Sequence, residues 1–236
     1  MSKQQTVTAV VFDPHPDDAD WWTGGLAMLL AKAHWQVHFV CVGPTEDKTR
    51  KEALESAAIL GIRRKFLEIP VTNNEHFAGD LADAVRPLLR ELAPTAVFIP
   101  SLSDYHLEHV TLSRQLLRCF HWSSAAGLED FEVYAYDSHV NRDLIEIYVD
   151  ISSVWDRHVE SLRCHRYFER SSLPDNTLIR TKTGRAMMLG AKLPTQPVLY
   201  AEGYRLLRGH PTGISSLPDV LAGKFYYRSD RELLAL

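Results

Sequence analysis

The chain has 236 residues, 45% of them hydrophobic and 24% charged, with a formal net charge of -4. That length and balance suit one α/β domain over residues 1–236, and the missing basic surplus argues against a nucleic-acid or anionic-membrane partner. No apolar run approaches the roughly 18 residues of a membrane span. The N-terminus lacks the apolar stretch of a signal peptide. The three cysteines, Cys41, Cys119 and Cys164, are far apart and odd in number, which fits a reduced, cytoplasmic setting.

Taken in chain order, Thr6–Phe12 is apolar and β-branched and reads as a buried strand. Trp22–His34 reads as a helix, Gln36–Val42 as a second strand, and Glu46–Leu60 as a helix closed by Gly61. Lys65–Ile69 is a short strand; Asp80–Leu92 is an amphipathic helix that Pro87 should kink or shorten. Thr95–Pro100 is a fourth strand and His109–Phe120 a further helix. Strand and helix alternating at this spacing imply βαβ units, and so a Rossmann-like, mostly parallel sheet flanked by helices. The second half is less regular. Phe131–Tyr136 and Leu144–Val149 read as strands, and Asp150–Phe168 as a helix capped by Asp150, Ser152 or Ser153. Beyond Ser171 turn signals and short apolar pieces give no clear placement.

The loop after the first strand reads Asp13-Pro14-His15-Pro16-Asp17-Asp18-Ala19-Asp20. In a doubly wound sheet ligands bind at such loops. A phosphate-binding loop needs glycines for close approach, whereas four carboxylates here would repel a phosphate. A cation suits them. His15 and Asp18 offer a nitrogen and an oxygen, a pair better matched to zinc than to magnesium or calcium. A solvated acidic turn is the plain alternative. A second cluster, Asp104-Tyr105-His106-Leu107-Glu108-His109, follows the fourth strand; its two histidines could also simply cap a helix. In the strand order 3-2-1-4 the loops after strands 1 and 4 are neighbours at the switch point. A His/Asp pair from one and a His from the other then make three ligands, leaving a fourth position for water.

At these two clusters the sequence resembles the PIG-L/LmbE family of zinc-dependent N-acetylglucosaminyl deacetylases. The family's (A/P)HPDDxE motif corresponds to Pro14–Asp20, followed by Gly24-Gly25, and its DxHxDH motif to Asp104–His109. Weaker echoes are Arg50-Lys51-Glu52 with Ala57–Gly61, Val149–Ser152, and Gly184, Gly190 and Ala201-Glu202. The resemblance implies zinc (or another divalent transition metal) held by His15, Asp18 and His109. It also implies Asp17 as general base and His106 assisting at the tetrahedral intermediate. The substrate it implies is a small molecule, an N-acetylated aminosugar derivative. Asp104 and Asp20 are candidate partners of the ligand residues, Asp104 by orienting a histidine. Relatives are often oligomers; the sequence itself carries no interface signature.

The chain departs from the family pattern in places. Asp20 shortens the usual Glu, and Glu108 lengthens an Asp. His165-Arg166-Tyr167-Phe168 stands where the family has H-x-S-Q. Trp21 and Trp22 either pack against the sheet or line the pocket and stack on substrate. Arg50 either contacts substrate or pairs with Glu52 or Glu55. The remaining histidines, 34, 38, 76, 121, 139, 158, 165 and 210, show no ligand spacing and read as ordinary residues. The alternative activity is a zinc amidase or deacylase acting on a non-sugar or long-chain N-acyl conjugate.

Overall fold

In a computed structural model the described residues are 7–72, 76–79, 81–124, 131–138, 145–166, 177–193, 198–209, 217, 221 and 223–227. Eight strands form one sheet: β1 (Thr8–Asp13), β2 (Gln36–Cys41), β3 (Arg63–Phe66), β4 (Ala96–Pro100), β5 (Glu132–Tyr136), β6 (Ile147–Asp150), β7 (Ala201–Arg208) and β8 (Phe225–Tyr227). Their order is β3-β2-β1-β4-β5-β7-β6-β8. The pairs from β3 to β5 are parallel, and those involving β7, β6 and β8 are antiparallel. The expected 3-2-1-4 arrangement and the mostly parallel sheet are both present.

Alternation sets the two faces. Ala9 and Val11 of β1 join Val37 and Phe39 of β2 in one core. Val10, Phe12 and Val40 join the other, beneath α3 (Leu81–Leu92) and α4 (Leu107–Ser124). Both faces of β1 are buried, as a central parallel strand requires. The first face is covered by α1 (Asp18–Lys32), α2 (Asp47–Leu60) and α5 (Trp155–Leu162).

Several elements depart from expectation. Helix α1 starts at Asp18, inside the acidic motif, because buried partners satisfy its carboxylates. Helix α3 runs through Pro87 to Leu92; Pro87 faces solvent, while Leu81, Ala82, Val85, Leu88 and Leu89 bury one face on both sides of it. Strand β3 begins two residues before Lys65, where Arg63 pairs with His38. The stretch from Asp150 is broken: Asp150 ends β6, its Oδ1 accepting the Ser152 N–H at 2.9 Å, and a 3₁₀ turn (Ser152–Val154) precedes α5. Beyond Ser171 lie α6 (Thr177–Gly190), β7 and β8. Glu202 on β7 accepts N–H bonds from Gly25 and Leu26 at 3.0 and 2.9 Å, tying α1 to the antiparallel end of the sheet. Thr6, Asp80, His139, Leu144, Tyr167, Phe168 and His210 lie outside the described residues.

Candidate active site

The loops after β1 and β4 meet because their strands are adjacent. Asp18 opens α1 and His109 sits in the first turn of α4, so two helices aim side chains at the crevice. Asp18 Oδ2 lies 2.9 Å from His15 Nδ1 and 3.2 Å from His109 Nε2. Ligand atoms of the three residues all fall within 4.8 Å of one another.

The outward-facing nitrogens are also engaged. His15 Nε2 is 2.5 Å from Glu108 Oε2, and His109 Nδ1 is 3.0 Å from Asp104 Oδ2. Each imidazole thus sits between Asp18 and an outer carboxylate, the pattern that fixes ring orientation in metal sites. Asp104 does more: its Oδ1 accepts the His106 N–H at 2.9 Å, and its Oδ2 accepts the Ser138 hydroxyl. The lengthening at position 108 has a visible effect, since Glu108 reaches across to the His15 ring.

Electrostatics favour a cation here. Burial opposes charge on His15 and His109, but the Asp18 carboxylate outweighs it, and the two are raised to about 9 and about 10. Asp18 is held well below the usual carboxylate range: burial works against ionisation and both histidines override it. Negative charge able to hold protons on these two imidazoles can also hold a dication between neutral ones. Two nitrogens and one oxygen match the three protein ligands of a catalytic zinc, so the residues fit that metal.

Asp17 is the N-cap residue of α1, yet its side chain makes no capping bond. It faces a cavity of about 500 Å³ together with His15, Asp18, His106 and His109. Burial, then the adjacent Asp18, raises its pKa and makes it a better base. The His106 ring stacks on His109 with centroids 5.2 Å apart.

Glu46, Thr49 and Glu52 of the α2 end and His165 after α5 line the same cavity. Sequence reasoning read His165 as ordinary and weighed Glu52 only as a partner for Arg50. His165 is buried, and burial lowers its pKa to about 4, so a neutral imidazole faces the cavity. The one signal for it was that it keeps the histidine of the family's H-x-S-Q segment.

The expected substrate contacts sit elsewhere. Trp21 is buried, and Trp22 packs against the core with Lys182 Nζ 5.5 Å from its ring. Neither is among the described residues lining the cavity. Arg50 pairs with Glu68, not Glu52 or Glu55, and lies 4.4 Å over the Phe66 ring. Asp20 is fully buried behind the loop, paired with Arg64 and accepting the Ser56 hydroxyl.

The chain is similar to several known proteins. Residues 10–120 match the PIG-L family, described as GlcNAc-PI de-N-acetylase. A 4-oxalmesaconate hydratase of Pseudomonas putida is 24% identical, covering 83% of this chain and 87% of that protein. The 4-carboxy-2-hydroxymuconate hydratase GalB, also from Pseudomonas putida, superposes with a TM-score of 0.74 at 22% identity, over 86% of this chain and 96% of that one. The N,N'-diacetylchitobiose deacetylase of Pyrococcus horikoshii superposes with a TM-score of 0.68 at 22% identity, over 87% and 85%. A deacetylase of teicoplanin biosynthesis shares the fold with a TM-score of 0.65 at 13% identity, over 86% and 99%. Residues 10–120, which carry both histidine–aspartate clusters, are thus the part of the chain that matches the PIG-L family.

Proposed function

We propose that the protein is a zinc-dependent N-deacylase that removes an acetyl group from the amine of an aminosugar-like substrate. One observation carries this reading: two imidazoles, each held between Asp18 and an outer carboxylate, open onto a cavity that also holds Asp17 and His106. His15, Asp18 and His109 would hold the metal, which supplies a Lewis acid for the amide carbonyl and lowers the pKa of a water to about 7. Asp17 takes the proton of the attacking water, a role suited to a carboxylate of raised basicity. His106, its backbone fixed by Asp104, stabilises the developing oxyanion or hands a proton to the leaving amine.

The cavity chemistry favours an amine-releasing reaction. Among the described residues its lining holds the carboxylates Asp17, Asp18, Glu46 and Glu52 and no Lys or Arg. Such walls welcome a hydroxyl-rich or cationic group and repel a polycarboxylate. The deacetylases with this fold, named for diacetylchitobiose and teicoplanin, support the same choice. A second reading, addition of water to an unsaturated carboxylic acid, rests on the Pseudomonas putida hydratase, whose similarity extends over 83% of the chain.

The two readings separate in one assay set. Acetate release from N-acetylglucosamine and N,N'-diacetylchitobiose, measured with zinc and after chelation, should be metal-dependent. Hydration of 4-oxalmesaconate, followed by loss of ultraviolet absorbance, should be absent. Hydration without any acetate release would replace the deacylase reading. Cleavage confined to long-chain or non-sugar amides in an N-acyl panel would change the substrate and keep the reaction.

A further inference from the structure

We infer that Arg64 is a positioning residue, reaching from the edge strand β3 to hold the loop that carries His15, Asp17 and Asp18 in its ligand-presenting shape. This rests on the metal-site reading above. Arg64 pairs with Phe39 in the β3–β2 register, and its guanidinium crosses the Phe39 ring, 5.2 Å from the centroid, toward the end of β1. Its side chain is wholly buried, as are those of Asp13 and Asp20.

The guanidinium grips the loop at three points. Nη1 donates to the Pro16 carbonyl at 2.6 Å and lies 3.3 Å from Asp13 Oδ2; Nη2 pairs with Asp20 Oδ2. Asp13 precedes the ligand segment, Pro16 lies inside it and Asp20 follows it. Asp20 is itself pinned, its Oδ1 accepting the Ser56 hydroxyl and its carbonyl 2.8 Å from His158 Nε2. The Pro16 carbonyl is the only backbone hydrogen-bonding group at that position, because proline has no N–H. A guanidinium can serve three acceptors in a plane, whereas an ammonium is a point charge. Buried ion pairs add little net stability against apolar replacements, so the pattern is better explained by loop shape than by fold stability.

The test compares wild type, Arg64→Lys and a stability control, Leu88→Ala, remote from the loop in α3. Zinc affinity is measured by competition with a chromophoric chelator, and folding by circular dichroism and Tm. Arg64→Lys is expected to bind zinc 10- to 100-fold more weakly, while Leu88→Ala, though less stable, binds as wild type does. At saturating zinc, Arg64→Lys should lose kcat with KM little changed. A folded Arg64→Lys with wild-type zinc affinity and kcat overturns the inference. If Arg64→Lys does not fold, the double variant Arg64→Met with Asp13→Asn removes both charges of one pair; wild-type zinc affinity there overturns the inference, and weakened affinity upholds it. Failure of the wild type itself to bind zinc would instead sink the metal-site reading.

Discussion

Replacing Asp17 with Asn removes a proton acceptor but no ligand. The variant should keep its zinc, measured by metal analysis, and lose turnover by a factor on the order of 10² or more. Loss of zinc along with activity would make Asp17 a ligand. His109→Ala should instead weaken zinc binding, with Asp18 left facing one imidazole. These neighbours show how identical side chains acquire different work. Asp18 lies between two histidines, whereas Asp17 begins the helix without capping it and turns to the cavity. The clustering of His15, Asp18 and His109 could be read from residue type and loop position. Glu108, Arg64 and His165 could not, because each acts through partners 40 to 150 residues away in the chain, as with His15 and Glu108 at a separation of 93. A lone histidine or arginine carries no spacing signal.

At the scale of elements, α1 depends on small residues. An added Cβ at Gly24 would come 2.5 Å from His158 Nε2, and one at Gly25 would come 2.7 Å from the Ile151 side chain. His158 is wholly buried and its Nε2 is held 2.8 Å from the Asp20 carbonyl, so it has little room to move. Gly24→Ala should therefore cost about 1–3 kcal/mol of stability from overpacking, seen as a fall in Tm of several degrees, with zinc stoichiometry unchanged. An unaltered Tm would show that the contact yields freely. Strands β1, β2 and β4 were legible because burial on both faces forces nearly unbroken apolar runs, whereas the edge strand β3 reads Arg-Arg-Lys-Phe and is only partly buried. The antiparallel end was not: β7 carries Glu202, Arg205 and Arg208 among its eight residues, and its pairing with β5 and β6 is set by distant segments. The start of α1 was hidden for a related reason, since an acidic stretch reads as solvated until Arg64 and Ser56 are seen beside it.

For the whole molecule, stripping the metal should change how stability responds to pH. Without an ion, His15 and His109 titrate at about 9 and about 10 when folded, since Asp18 outweighs burial, against about 6.5 unfolded. Their contribution is complete below pH 6.5 and is lost as pH rises through 9 to 10. Tm of the chelated protein should thus fall on the alkaline side, and a zinc-loaded sample, whose metal-bound imidazoles are already neutral and lose no proton over this range, should fall less. Identical profiles would count against metal binding at these residues. No helix among the described residues is long and apolar enough to cross a membrane. The adjacency of β1 and β4 has a further consequence, for the order of events in folding. Between His15 and His109 the chain lays β2, β3 and their helices to one side of β1 before it crosses back to β4. Contacts so distant in sequence form late. An ion that needs both histidines therefore finds nothing to bind in the early chain; it has little influence on how fast the protein folds and acts mainly by slowing its escape from the native state.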